Sequence, residues 1–382
     1  MQTDFSNIIC VADINITGAM DQCLTDLALP EVFIQPAKQM SLIDRQGFLG
    51  LRPGTRIDES RALLYRMSVP LEYEEGVIRR IAESTDLKMG GRGCIFAQRI
   101  YLRRGTPLVF DTEKLDRLCG KTEKVPPEDY VLVSCIVPRG GADSLAQAVL
   151  ELGICVPIIF FGAGMGLRDR LGLMRITIPV EKEIIWFIAP RSDAELVEKT
   201  LIPRARIDVP GKGFLYKSYI RAPVVNLKIR QGKRSHAATM EQVIAALDEV
   251  QGSRDWRRLG SRTQESPSGK SKTVSTYGLF FIGDAEEIET FRRTAMDNGA
   301  RGATFCSAEM RSYGTSTQDH DMESHSRQIC DIIISKAVEE KLQEPLSKTG
   351  LFDNGKSCVL KIFSAEMPFV LRYLDTKQET AH

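Results

Sequence analysis

Histidine and tryptophan are scarce, 4 and 2 in 382 residues, and net charge is nearly absent, since 51 basic side chains against 50 acidic ones leave +1. Each shortage excludes something. A balanced charge argues against a general nucleic-acid binder, while local basic clusters stay possible. The 9 cysteines form no Cys-x-x-Cys pair and are scattered through apolar stretches, which suits small buried hydrophobes in a reducing compartment better than a metal or redox centre. No hydrophobic run approaches bilayer-spanning length, so a membrane-embedded chain is not expected. The first residues, MQTDFSNIICVADIN, lack a basic region ahead of a long apolar core; they are expected to form a first strand rather than a signal peptide, which makes the cytoplasm the expected location. No Ser-His-Asp, Cys-His or paired-carboxylate arrangement stands out. Neither a catalytic site nor enzymatic activity is expected.

What is present is a recurrence. Gly91-Arg92-Gly93-Cys94-Ile95-Phe96, Gly211-Lys212-Gly213-Phe214-Leu215-Tyr216 and Gly355-Lys356-Ser357-Cys358-Val359-Leu360 share one pattern: glycine, a long cation, a tiny residue, any residue, an aliphatic and a bulky apolar one. The intervals of roughly 120 and 140 residues suit small domains and are too long for a solenoid unit. The expected organisation is repeat 1 over 1–110, a linker over 111–129, repeat 2 over 130–230, a linker over 231–274 that holds a helix and a flexible segment, and repeat 3 over 275–382.

Within each repeat the hydrophobic periods give strand, helix, strand, strand, helix, strand. In repeat 1 these are Asn7 to Asn15, Thr17 to Leu29, Glu31 to Ile43, Arg61 to Pro70, Glu72 to Thr85 and Cys94 to Leu102, with a long exposed loop between Asp44 and Ser60. Repeat 2 follows with strand Tyr130 to Pro138, helix Ala142 to Leu152, strands Cys155 to Phe161 and Ile176 to Ala189, helix Asp193 to Ile202 and strand Phe214 to Ile220. Its hairpin loop is expected to begin at Gly162-Ala-Gly164-Met-Gly166. Ser192 with Glu195, and Asp284 with Glu287, are capping signatures for two of the helices. In the second linker, Met240, Val243, Ile244, Leu247 and Val250 fall on one helical face, and SRTQESPSGKSKTVS is too polar to pack.

The glycine turns are the candidate sites. Gly350 to Ser357 matches the phosphate-loop pattern GxxxxGK[ST], but it follows a helix and leads into a strand, so an NTPase fold is not supported. What remains is a turn that can offer N–H groups and a cation to an anion. The candidate phosphate contacts are Gly90, Gly91, Arg92 and Gly93 with Arg103 and Arg104; Arg204 and Arg206 with Gly211, Lys212 and Gly213; and Gly355 with Lys356. The Lys212 turn carries the densest cations and is expected to bind most tightly. His320 and His325 with Asp319, Asp321 and Glu323 lack any fixed ligand spacing, so a polar loop is expected there and no metal.

The stretches Leu87 to Ile100, Ile207 to Tyr219 and Thr349 to Phe363 resemble the P-II signal-transduction proteins and their P-II-like relatives, homotrimers of ferredoxin-like subunits. That resemblance implies an α+β fold in which three ferredoxin-like βαββαβ repeats pack around a pseudo-three-fold axis, a trimer fused into one monomeric chain. It also implies that adenine nucleotide (ATP, ADP or AMP as a regulatory ligand rather than a cofactor) sits at the clefts between repeats. The hairpin loops would then report to a regulated partner protein. The nitrogen-sensing role is not implied, because the modified loop tyrosine of that family has no counterpart here. A CutA-like, metal-binding or purely scaffolding trimer of the same architecture is the alternative.

Overall fold

The computed structural model describes residues 2–45, 54–122, 127–166, 180–209, 212–226, 228–231, 273–314 and 324–368. The first third holds β1 (Gln2–Asp13), α1 (Thr17–Leu27), β2 (Val32–Arg45), β3 (Gly54–Pro70), α2 (Glu74–Ser84) and β4 (Gly93–Arg104), followed by a short α3 (Thr112–Leu118). The second holds β5 (Tyr130–Pro138), α4 (Ala142–Glu151), β6 (Ile158–Gly166), β7 (Val180–Pro190), α5 (Ala194–Ala205), β8 (Phe214–Val224) and a two-residue β9 (Arg230–Gln231). The third holds β10 (Thr273–Gly283), α6 (Ala285–Asp297), β11 (Gly302–Arg311), β12 (Ser324–Ser335), α7 (Lys336–Lys348) and β13 (Val359–Pro368).

These strands do not form three separate sheets. They hydrogen-bond into one sheet in the order β10-β12-β11-β6-β7-β5-β8-β13-β4-β1-β3-β2-β9, closed by the further pairings β10–β13, β11–β2, β6–β2 and β8–β4. Apart from the parallel β2–β9 contact, the pairings are antiparallel. The expected fold class, three ferredoxin-like repeats packed about a pseudo-three-fold axis, is therefore corrected to a closed antiparallel β-barrel with helices on its outside. The picture of a pseudotrimer of such subunits goes with it. The physical reason lies at the strand edges. An open sheet leaves N–H and C=O groups unpaired along its outer strands, and joining edge to edge satisfies them where stacking face to face would not. The ladders β13–β4 (Val359↔Arg104 to Ile362↔Tyr101) and β11–β6 (Gly302↔Gly166 to Phe305↔Ala163) are such joins.

Four apolar clusters follow from closure. One fills the barrel with residues from all three thirds, among them Phe96, Trp186, Tyr216, Ile282 and Phe363. The other three lie between the outer sheet surface and the helices: around Leu24, Tyr73 and Ile81, around Leu145, Phe187 and Leu201, and around Phe281, Phe291 and Leu342.

Several local expectations change. Of the loop expected between Asp44 and Ser60, residues 44–45 and 54–60 are strand, because β2 and β3 stay in register from Val32↔Met67 to Arg45↔Gly54; residues 46–53 lie outside the described residues. The arm persists because it leans on the second third. Met40 and Leu42 join the second outer core, Met40 N–H donates to Pro157 O at 3.1 Å, and Leu42 N–H donates to Ile229 O at 2.7 Å. Gly162 to Gly166 is not a hairpin loop but the end of β6, and a methyl group at Gly162 would come within 2.6 Å of Phe305 O. Glycine is needed there so that β11 can approach. The stretch expected to be a spacer after β4 contains α3, whose Leu115 is buried in the first outer core, while Asp116 accepts a 2.7 Å hydrogen bond from Tyr73 Oη. Asp284 and Glu287 do form a capping box on α6, but Ser192 does not cap α5; its hydroxyl donates to Asp193 Oδ1 instead. The amphipathic stretch from Met240 to Val250 lies outside the described residues, as does most of the polar segment after it; Thr273 to Ser275 begin β10.

Candidate ligand sites at the junctions between thirds

The first turn follows α2. Gly91 has φ 92° and Gly93 φ 142°, and a methyl group on Gly93 would sit 1.8 Å from Val11 O, so the turn can enter β4 only with glycine there. Arg92 folds back into its own turn. Its guanidinium donates to Thr85 O and to Asp86 Oδ2, both at 3.2 Å, and its carbonyl accepts from Asp13 N–H at 2.8 Å. The Gly91 N–H donates to Asn226 Oδ1 at 3.0 Å, and Asn226 Oδ1 also accepts from Lys228 N–H at 3.0 Å. Lys228 lies across the turn, so close that a methyl group on Gly91 would come within 2.9 Å of its Cδ. The chain just beyond β8 thus seats the first turn with a buried amide and a lysine that sequence reasoning missed. A signal existed in its place immediately after a repeat's last strand, where Arg103 and Arg104 stand in the first third.

The third turn repeats this seating with other residues. Lys356 N–H donates to Asp353 O at 3.1 Å, closing the turn internally, and Lys356 O accepts from Thr106 Oγ1 at 3.0 Å. Arg103 lies 4.4 Å from the Phe352 ring centre and donates to Ser347 Oγ at 2.8 Å, while burial draws its pKa below the ordinary arginine range. Ser357 Oγ accepts from Arg327 at 3.2 Å. Lys356 itself is exposed. Arg104 serves another end: it donates to both carboxylate oxygens of Glu31, at 3.0 and 2.8 Å, so its charge is already balanced.

The second turn differs. Arg206 caps α5 in the left-handed region at φ 51°, Arg204 donates to Thr200 O at 3.3 Å within its own helix, and Lys212 N–H donates to Val209 O at 3.1 Å. Arg204, Arg206 and Lys212 are exposed, and Gly211 lies outside the described residues. Gly90 lies in its turn, Gly355 takes a φ of 92°, and Gly213 packs against Ile207.

The structure therefore sets a cation of one third against a turn of another at two junctions: Lys228 at the Gly90–Gly91 turn, and Arg103 over Phe352 at the third turn. At these turns the amides of Gly91, Lys212 and Lys356 are already bonded within the protein, so these three N–H groups are not offered to an anion. His325 falls on β12, while His320 and its acidic neighbours lie outside the described residues. Among the described residues no cluster of three or more His, Cys, Asp or Glu could hold a metal, and no helix is long and apolar enough to cross a membrane. No family model matches the chain, and no curated protein matches it, so the P-II resemblance rests on the quoted turn motifs.

Proposed function

We propose that this protein is a regulatory binder of a small phosphorylated ligand of the adenine-nucleotide class. The ligand is held where a glycine turn of one third meets the chain beyond the last strand of another, and occupancy is reported to a partner protein through the β2–β3 arm. The observation that carries the reading is Lys228, laid across Gly90 and Gly91 from the next third; Arg103, held over Phe352, sets a cation against the third turn in the same way. A cation delivered by one segment to a glycine turn of another suits a phosphate group better than a solvated face does. The arm supports the reporting role because its backbone is bonded to both Pro157 and Ile229 of the second third.

Isothermal titration with ATP, ADP, AMP and cyclic nucleotides tests this. At least one is expected to bind without turnover, and Lys228→Ala and Arg103→Ala each to weaken it by about 1–3 kcal/mol, the range for a charge-assisted contact. Silence towards every nucleotide, together with tight divalent-metal binding, would overturn the reading in favour of a metal-binding scaffold. The protein is expected to act as a monomer, with light scattering near 42.7 kDa.

A further inference from the structure

The barrel interior holds charge that the junction sites do not use. Arg66 of β3 is 2% exposed, and its guanidinium lies 4.9 Å from the ring centre of Phe280, 5.1 Å from that of Trp186 and 5.5 Å from that of Phe160. It donates to Gln35 Oε1, which leaves the rest of the group facing a cavity of about 30 Å³. The same cavity is lined by Lys361 of β13, whose Nζ donates to Asn7 Oδ1 at 2.8 Å, by Asp331 of β12 and by Trp186 of β7. Trp186 is 5% exposed, and among the described residues no acceptor reaches its indole Nε1. Arg66, Lys361 and Trp186 thus line one small space from three strands, together with Asp331, whose Oδ1 likewise has no partner among the described residues.

We propose that the barrel interior is a binding site for a single small monatomic anion, a halide, held by Arg66, Lys361 and the indole N–H of Trp186. The space suits that size. A water needs roughly 10–15 Å³ of such volume, so a cavity of about 30 Å³ has room for a small ion. The charge inventory gives the condition for uptake. Asp331, which accepts from Tyr216 Oη at 3.1 Å, is the carboxylate facing Arg66, and burial raises it to about 6. Lys361 is lowered to about 7, first by burial and next by Arg66, with Glu31 opposing and Arg104 assisting. The Cys306 thiol beside Arg66 is pushed up to about 12 by burial and stays neutral, and burial likewise raises the Tyr216 hydroxyl. Above pH 7 the interior therefore holds one cation and one carboxylate. Below pH 6 it holds two cations and a neutral acid, a charge that an apolar barrel tolerates only with a counter-ion.

Crystals grown in sodium bromide at pH 5.5, measured at the bromine absorption edge, test the proposal directly. The expected result is an anomalous peak inside the barrel, within hydrogen-bond reach of Trp186 Nε1 and Arg66. An ordered water with no interior peak at that pH would sink it. In solution, at fixed ionic strength, bromide should raise the melting temperature at pH 5.5 more than sulfate does. By linkage, one lost unit of lysine pKa shift makes the apparent affinity about ten-fold tighter at pH 5.5 than at pH 8.5. Trp186→Phe keeps the ring and removes the N–H, and Lys361→Met removes the cation; both should lose the bromide response. A response unchanged in both variants refutes the site, and the crystal result decides even where a variant fails to fold.

Discussion

The three outer cores and the barrel interior are built from the same strands, yet charge is buried among the apolar residues of the interior. Between helices and sheet the buried side chains are almost all apolar, such as Leu24, Val77 and Ile81 in the first third and Phe281, Phe291 and Leu346 in the last. Inside the barrel, Phe96, Trp186 and Ile220 share the space with Arg66, Gln98, Ser218 and Lys361. Gln98 donates to Ser218 Oγ at 3.0 Å, so part of this polar set satisfies itself. The difference teaches where stability and specificity reside. The outer cores supply apolar burial, at about 25 cal/mol per Å², whereas the interior spends some of that gain on desolvated charge.

The largest effect should come from the outer layer. Phe291 of α6 is fully buried and stacks on Phe281 with centroids 4.3 Å apart. Phe291→Ala is expected to cost about 3–5 kcal/mol in urea unfolding. A loss under 1 kcal/mol would break the assignment of stability to the outer cores.

The next effect lies at the boundary between thirds. Arg221 of β8 holds the Glu74 carboxylate at the start of α2, at 2.6 Å through Nε, and both side chains are 3% exposed. Glu128 approaches at 3.4 Å but is itself 40% exposed. Arg221→Met leaves Glu74 buried without its partner and is expected to cost about 3 kcal/mol. Hydrogen exchange should show the loss in both α2 and β8 if the thirds unfold as one unit.

Sequence reasoning was strongest where local rules decide. Asp284 and Glu287 announced the α6 cap, and short apolar runs placed β1, β5 and β7. It failed where a distant segment decides. The Asp44 to Ser60 stretch is polar and carries glycine and proline, so it suggested a loop; its described residues, 44–45 and 54–60, are strand because Met40 and Leu42 find apolar partners on the second third. The edge joins that close the barrel depend on the pairing of residues such as Leu360 with Arg103, far apart in sequence, and no local period encodes them. The turn glycines were legible because Gly93 must avoid Val11 O, but Lys228 was not, since its role exists only once β8 delivers it to another third's turn. Arg66, Asp331 and Lys361 lie in strands that pattern as buried, and a charged side chain in such a strand is the signal that could have exposed the interior site.

A smaller effect separates interior from exterior by pH. Lys361 is lowered to about 7 in the folded protein and regains an ordinary lysine pKa on unfolding. Between pH 7 and the ordinary lysine range, near 10.5, the unfolded chain therefore binds the additional proton, and wild-type stability rises with pH across that window. Lys361→Met lacks this gain. In halide-free sulfate buffer the variant should gain about 1–3 kcal/mol on wild type in going from pH 9.5 to pH 6.5. Parallel pH profiles would show that Lys361 stays charged and solvated.

The smallest effect concerns one hydroxyl. Tyr216 is 3% exposed, its ring packs 6.3 Å from Phe363, and its Oη donates to Asp331 Oδ2 at 3.1 Å. Tyr216→Phe keeps the ring and removes a hydrogen bond that favours the carboxylate, so the Asp331 pKa should climb further above about 6. A carboxyl raised on folding contributes stability that is present below its unfolded pKa and is lost as pH rises through the folded value. The hydroxyl thus matters most where Asp331 is ionised. The expected cost is about 1.5 kcal/mol at pH 8, the low end for a hydrogen bond to a charged group, and well under half of that at pH 4.5, where the acid is protonated in both proteins. Chemical denaturation at the two pH values measures the difference. An equal loss at both would mean that Asp331 keeps one protonation state across the range, which would also remove the acid-linked charge from the interior.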